Sequence, residues 1–594
     1  MAYLEKLKAA TTIQDLAVLL NLKASQLSYV LFILPDEIKY TQFGIPKKAG
    51  GERIINAPHE RLKHIQRCLA NLLQHCVLEI ERSKPQPTPR ALSHGFRKKA
   101  EINSNKKNDV PIGIHTNAHN HQNKRYVLNF DLSGFFGSFN FGRVRGFFIK
   151  NNHFGLHPSV ATLIAQIACF KNELPQGSPC SPIITNLIAH ILDIRLVRWA
   201  KKNRCSYSRY VDDITLSTNQ EIPIKLAIYT EESMKWSLNK EIENIIIYSG
   251  FQINSLKTRL QTKSSRQVVT GLVVNKKVNI KKEYYRSARA MCHALFCTGN
   301  FFLLGDECKP GTLQQLNGIL GHIYFIKQKN HCNKEPCHKP SGEQHNIINL
   351  YSQFLYFRYF IALEKPLIIC EGKTDVAYLK IAIKQLKKQG KYLLPHQLDF
   401  FNFTERISEV MHINAGTSQL KKFIENYKKN IAFTKQIPRS PVIVLLDNDK
   451  AAGDVVQCLA NKFKKTNVDY DRKNNFIYSV IENLYVVLLP IRNPQEDLII
   501  EGFFEKSVLE TKLGEKIFSP ENGNGFDSQR HYGKHVLVEK VIRPKQDTID
   551  FSRFSDIFDT LVKAIEQYET VPNKINDQVI NTVQNAPGSE TDFK

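Results

Sequence analysis

The first thirty-odd residues set apolar side chains at helical intervals (Leu16, Val18, Leu19, Leu20, Leu27, Val30, Leu31), which predicts one or two short helices. From Tyr40 to about Tyr324 the period switches repeatedly. Strand-like runs such as 125–130 alternate with helical runs such as 182–200, the pattern of an α+β or α/β domain. Residues 305–344 gather Gly, Pro, Cys, His and Lys, and a helical pattern over 347–363 stops before Pro366. Beyond it, the apolar runs 366–370 and 441–446 have the length of strands buried on both faces, and each ends at acidic residues. The chain therefore divides into a helical segment at 1–38, a first body at 39–225 and 226–330, a linker and connecting helix at 331–364, an α/β domain with a parallel sheet at 365–570, and a tail expected to fray at 571–594.

A chain of 594 residues exceeds one ordinary core, so several domains are expected. The net charge of +26 selects a polyanionic partner, nucleic acid before membrane. No run of about 18 apolar residues occurs, and the N-terminus lacks a signal-peptide core, so a bacterial cytoplasmic location without membrane contact is the expectation. The twelve cysteines are scattered and read as thiols. His331, Cys332, Cys337 and His338, with Cys308 upstream, approach zinc-ligand spacing, but a second Cys-x-x-Cys pair is missing and zinc is not expected.

Chemistry concentrates first around Tyr210-Val211-Asp212-Asp213, two adjacent acids inside alternating β-branched and aromatic residues. Two such charges ~4 Å apart repel by about 4 kcal/mol at an effective dielectric of roughly 20, a cost that divalent cations remove. Asp131 ends another apolar run and supplies a third carboxylate. Three acids on neighbouring strands suit two-metal phosphoryl transfer. Between them, the loop 174–182 carries Gln176 and Gly177 before a helix, where small residues let backbone approach a base pair or triphosphate.

Ile45-Pro46-Lys47-Lys48, Gly51-Glu52-Arg53, His94-Gly95-Phe96, Phe130-Asp131, Pro175-Gln176-Gly177-Ser178-Pro179, Tyr210-Val211-Asp212-Asp213 and Asn254 with Lys257-Thr258-Arg259 together resemble the ordered motifs of reverse transcriptases. Asn117-Ala118 with His121, and Val269-Thr270-Gly271, resemble the two distinguishing elements of the bacterial retron branch. The resemblance implies a right hand of fingers and palm at 39–225 and distal palm and thumb at 226–330. It makes Asp131, Asp212 and Asp213 the ligands of two Mg²⁺, with the Leu132 carbonyl contributing. Lys47, Lys48, Arg53, Phe136, Gln176 and Tyr210 would meet the deoxynucleoside triphosphate, Phe136 as a ring beneath the sugar that excludes a 2′-hydroxyl. Asn117, His121, Thr270, Gly271, Lys281, Lys282 and Arg286 would meet a cognate non-coding RNA, part of which is copied into branched RNA–DNA (msDNA). A homo-oligomer is compatible with this reading.

A second set follows the linker. Glu371-Gly372 ends one apolar run, and Asp447-Asn448-Asp449 ends another. Acids at the C-terminal ends of parallel strands gather in one crevice. The pair resembles the TOPRIM domain of topoisomerases, primases and OLD-family nucleases, implying that Glu371, Asp447 and Asp449 hold one or two Mg²⁺ for nuclease chemistry. Asp375, Glu501 (or Glu496 and Asp497) and Lys534 are candidate additions, with Gly416-Thr417-Ser418 as a small-residue turn. The whole is expected to be a retron polymerase fused to an anti-phage nuclease effector. The alternative is a stand-alone or mobile-element reverse transcriptase with a DNA-processing or non-catalytic metal-binding module.

Overall fold

A computed structural model describes residues 2–47, 50–83, 91–97, 112–221, 226–230, 235–303, 305–329, 342–465, 468–491, 497–520 and 526–570. Lys48, Glu496, the Cys/His run at 331–338 and the tail at 571–594 lie outside them. The N-terminal segment is cut more finely than its periodicity suggests, into helices Tyr3–Ala9, Ile13–Leu19, Ala24–Ser28 and Asp36–Lys39. The breaks have local causes. Thr12 Oγ1 accepts the Asp15 amide at 3.2 Å while Asp15 Oδ2 accepts the Thr12 amide at 2.9 Å, a capping box that starts a helix, and Asn21 turns the chain at φ +56°. Among the described residues no single helix is long and apolar enough to cross a membrane.

Contacts separate two compact units, residues 1–282 with 325–338, and residues 283–324 with 339–594. In the first, β1 (Tyr40–Pro46) and β2 (Glu52–Pro58) form a hairpin, and β3 (Tyr126–Ser133), β4 (Ser206–Tyr210) and β5 (Asp213–Thr218) enter the main sheet. A small hairpin, β6 (Ala227–Thr230) and β7 (Lys235–Leu238), precedes β8 (Gln252–Thr262), and β9 (Val268–Val269) and β10 (Leu272–Val273) form another. The main sheet runs β4-β5-β3-β8, antiparallel throughout. As an inner strand β3 buries Val127, Leu128, Asn129 and Phe130 together, on both faces. Buried Asn129 is satisfied: its amide reaches Gln261 Oε1 at 3.2 Å and the Val268 carbonyl at 3.1 Å, and its oxygen accepts from Thr215 at 2.9 Å. Helix Ser181–Lys202 packs Ile184, Ile188 and Leu192 into the same core.

The second unit begins inside the region that the sequence assigned to distal palm and thumb, not in the 331–364 linker. The reason is side-chain docking at long range. Helix Lys282–Thr298 ends with Phe296 against Phe433 and Phe357, at 4.6 and 5.6 Å between ring centres. Thr434 Oγ1 and Gln436 Nε2 then donate to the carbonyls of Phe296 and Cys297, both at 2.8 Å. After β11 (Phe302–Leu303) and β12 (Asp306–Pro310), the strands β13 (Leu367–Cys370), β14 (Asp399–Phe400), β15 (Val442–Leu446), β16 (Ile477–Ile481) and β17 (Leu484–Leu488) make one sheet. Its order is β14-β13-β15-β17-β16, parallel except for β16 at the edge. Every residue of β13 and β15 is buried, as their unbroken apolar runs require.

Candidate active site

The β4–β5 hairpin turns through only two residues, Val211 and Asp212, with Tyr210 opposite Asp213. Two-residue hairpins need a positive φ, and here Val211 supplies it at +63°. A β-branched residue in that region is strained by about 1–3 kcal/mol, a cost that recurs at functional turns. The register then fixes the acids. Asp213 faces Asp131 directly across β5 and β3, and the Leu132 amide donates to the Asp212 carbonyl at 3.1 Å.

Burial pushes the Asp213 carboxyl up to about 8, aided by its hydrogen bond to Asp131 and by the charges of Asp131 and Asp212. Burial also raises Asp212, with Asp131 adding to it and Lys257 and Arg53 opposing. Lys257, on β8, forms an ion pair with Asp131 Oδ2. Among the described residues no three Asp, Glu, His or Cys side chains form a ready-made metal cage. The donor set nevertheless fits Mg²⁺: hard carboxylate oxygens, crowded so that their ionised forms repel, are what a divalent cation stabilises.

In the second unit, Glu371 and Asp447 follow β13 and β15, adjacent parallel strands. Burial lifts Asp447 to about 8, and the charges of Asp375, Glu371 and Glu501 act in the same sense, against Lys534. Asp447 Oδ1 accepts the Ile500 amide at 3.0 Å. Glu371 accepts Thr417 Oγ1 at 2.5 Å, and Lys534 Nζ lies 3.1 Å from Glu501, which is 1% exposed. Asp375 takes the Gly372 amide at 2.7 Å as it caps helix Lys373–Lys388. Asp449, two residues after Asp447, also has a structural role. The chain has already turned into helix Lys450–Lys462, and Asp449 Oδ1 caps it by accepting the Ala452 amide at 3.0 Å. Asp497 pairs with Arg472 at 2.7 Å rather than with the cluster acids.

The sequence profile of the family described as reverse transcriptase (RNA-dependent DNA polymerase) matches residues 45–274, the span that carries Asp131, Asp212 and Asp213. The retron Ec86 reverse transcriptase of Escherichia coli is 31% identical over 306 residues, covering 51% of this chain and 81% of the relative. The chain belongs to the retron reverse transcriptase family. The retron Mx65 reverse transcriptase of Myxococcus xanthus is 30% identical over 305 residues, covering 48% of this chain and 62% of its own. The retron Ec48 reverse transcriptase of Escherichia coli is 24% identical over 438 residues, covering 72% and 93%. Telomerase from Candida albicans superposes at a TM-score of 0.31 with 10% identity over 56% of this chain and 66% of that one, too loosely to add to the argument.

The remaining residues of this retron reverse transcriptase fall into place unevenly. Lys47 and Arg53 are exposed on the β1–β2 hairpin. The Gln176 carbonyl accepts the Asn56 amide at 2.8 Å, and a Cβ at Gly177, whose φ is +121°, would lie 2.6 Å from the Asn56 carbonyl oxygen. That glycine is therefore required by the protein's own backbone. Phe135 enters the core, while its neighbour Phe136 is half-buried with the Phe96 ring 6.1 Å away. The two retron elements meet. Thr270 and Gly271, at φ +47° and +83°, form a two-residue turn between β9 and β10, and Thr270 Oγ1 donates to the Ile114 carbonyl at 3.2 Å in helix Ile114–His119. That helix buries Asn117, whose side-chain amide has no partner among the described residues. His121 is fully buried and bridges Ser217 and Ser208, both at 2.7 Å, so it has no surface for RNA and braces β4 against β5 instead. Lys281, Lys282 and Arg286 are all exposed. Lys257 was missed as a partner of Asp131; its only signal in the sequence was a place in a motif.

Proposed function

We propose that this reverse transcriptase copies part of a cognate structured non-coding RNA into DNA, primed from an internal guanosine 2′-hydroxyl, to give branched msDNA. The observation that carries this is the register placing Asp213 opposite Asp131, with Asp212 at the adjoining turn. Asp131, Asp212 and Asp213 would hold Mg²⁺. When bound, the metal supplies activation of the attacking hydroxyl and stabilisation of the departing pyrophosphate oxygen. The chain's own residues do the positioning: Tyr210 and Gln176 align the primer end and base, Lys47 and Arg53 meet the triphosphate, and the Phe136 ring excludes a ribose 2′-hydroxyl. Lys281, Lys282 and Arg286 offer exposed cations to RNA phosphates. Replacing Asp212 and Asp213 by Asn lowers DNA synthesis by about a thousandfold or more. In Phe136→Ala, ribonucleotide incorporation rises; unchanged discrimination removes the gate role. Nucleic acid extracted with the purified protein, digested separately with RNase and DNase, contains a branched species; a simple RNA or none rejects the msDNA reading.

The second unit is assigned as a TOPRIM-type, Mg²⁺-dependent nuclease effector of anti-phage defence. Its support is the gathering of Glu371, Asp375, Asp447, Glu501 and Lys534 about the ends of adjacent parallel strands. Glu371→Gln then removes phage protection and leaves DNA synthesis intact. Under the alternative of a non-catalytic metal-binding module, Glu371→Gln keeps protection.

A further inference from the structure

Arg209 is the one charged residue of β4, otherwise serine and tyrosine, two positions before the strained residue of the catalytic turn. A charged side chain there would ordinarily point to solvent. Instead it is 0% exposed, and so is its partner Asp193 on helix Ser181–Lys202. The guanidinium meets the carboxylate fork to fork, Nε to Oδ1 at 2.7 Å and Nη2 to Oδ2 at 2.8 Å, while the Tyr207 hydroxyl donates to Oδ1 at 2.6 Å. Burial by itself would push the Asp193 carboxyl up; the ion pair and these hydrogen bonds override it and hold the group well below the usual carboxylate range. A buried ion pair is weak evidence for stability, since a packed apolar pair often serves as well, so the remaining donor becomes informative. Arg209 Nη1 points to the turn, donating to the Val211 carbonyl at 2.9 Å and lying 3.3 Å from Asn186 Oδ1.

The backbone of Gly95 also packs closely against the turn. A Cβ added to Gly95 would lie 2.6 Å from Val211 Cγ2 and 2.8 Å from the Val211 amide nitrogen. Asn186 ties both sides together: its amide donates to the Gly95 carbonyl at 2.8 Å, and its oxygen accepts Ser93 Oγ at 3.0 Å. Val211 is thus held by a fixed donor at its carbonyl and by the closely packed backbone of Gly95, in a conformation valine avoids.

We propose that Arg209 is a positioning residue of the polymerase site, whose Asp193-anchored guanidinium holds the Val211 carbonyl and so keeps the turn in the left-handed conformation that presents Asp212 and Asp213. The assignment rests on reading this palm as the site of DNA synthesis. Arg209→Lys keeps the charge but loses the fork, so one ammonium cannot serve Asp193 and Val211 in the same geometry. The expected result is a kcat lower by about tenfold to a hundredfold, the scale of an ångström-sized misplacement. The KM for deoxynucleotide moves by less than about threefold, because triphosphate contacts are untouched.

Rescue separates positioning from bulk support. Glycine adopts positive φ freely, so Val211→Gly in the Arg209→Lys background restores most of the lost kcat. Tyr207→Phe, which removes a hydrogen bond from Asp193 but none from Val211, leaves kcat within about twofold. Unaltered kcat in Arg209→Lys, no recovery with Val211→Gly, or an equal loss in Tyr207→Phe overturns the assignment. If Arg209→Lys does not fold, Asp193→Asn with and without Val211→Gly reads the same recovery by the same criteria. Absence of synthesis by the unaltered chain would strike the polymerase reading itself, and is distinguishable from all of these.

Discussion

The two acid clusters are built on opposite kinds of sheet, and each carries one lysine. In the first unit the acids are cross-strand neighbours of an antiparallel sheet, and Lys257, whose side chain is 60% exposed, reaches in from β8 to Asp131. In the second the acids stand at the ends of parallel strands, and Lys534 is largely buried against Glu501, itself 1% exposed. One aspartate in each cluster, Asp213 and Asp447, is pushed up to about 8 by burial and neighbouring acids. The difference lies in what the lysine does. An exposed ammonium can leave when another cation arrives, because water screens most of its attraction. A buried one is part of the fold, since its departure strands a carboxylate without solvent.

The comparison breaks or holds first at Lys534. Lys534→Met leaves Glu501 buried and unpaired, at a cost of about 3–5 kcal/mol to the second unit near pH 8. Burial already raises the Glu501 carboxyl. Without its lysine it accepts a proton more readily, so the penalty shrinks as pH falls towards 5. The readout is direct, because both tryptophans, Trp199 and Trp236, belong to the first unit. The urea transition seen by far-ultraviolet circular dichroism shifts, whereas tryptophan emission does not. A shift in both, or none, removes the claim that this pair supports the second unit alone.

What the sequence revealed follows the range of the interactions. The strands β3, β5, β13 and β15 and the acids at their ends were legible because apolar runs and short motifs are local. The capping role of Asp449 was not legible, because it depends on where the next helix starts, four residues beyond the last residue of β15. The backbone need for Gly177 was not legible because the neighbour that imposes it, Asn56, is 121 residues away in sequence. His121 looked like a recognition residue, although the two serines that absorb it stand on β4 and β5. The placement of 283–324 with the second unit depends on Phe296 meeting Phe433, a contact without local sequence signature.

Acid sharpens the contrast on a smaller scale. Burial pushes His121 down to about 3 and His94 down to about 4 from an ordinary value of 6.5. Both are therefore neutral in the folded chain at pH 5, while the unfolded chain takes up protons below about 6.5. Stability is present above that value and drains as pH falls through the window to about 3 or 4. At pH 5 each histidine costs about 2 kcal/mol relative to pH 7. Asp213 acts in the opposite sense, since a raised carboxyl gains stability on acidification, so the histidine contribution is isolated by difference. His121→Gln can still hydrogen-bond Ser208 and Ser217 but does not titrate. Between pH 7 and pH 5 the unaltered protein loses about 2 kcal/mol more than this variant, measured by tryptophan emission in urea. Equal losses show that His121 is not held neutral.

Lys257→Met is the smallest change and the most demanding test. Its ion pair with Asp131 is mostly exposed on the lysine side, so ordering the long side chain offsets most of what the contact contributes, and the variant differs from the unaltered protein by no more than about 1 kcal/mol. Salt reduces even that, since at 1 M the screening length is about 3 Å. The measurement is the tryptophan-reported urea midpoint without divalent cations, at low and high salt. A cost as large as that of Lys534→Met, persisting in high salt, would mean that Lys257 is built into the palm as firmly as Lys534 is into the second unit. The Asp131 carboxylate would then be committed to a lysine rather than available to a cation, and the distinction between a lysine that can yield its place and one fixed in the fold would fail.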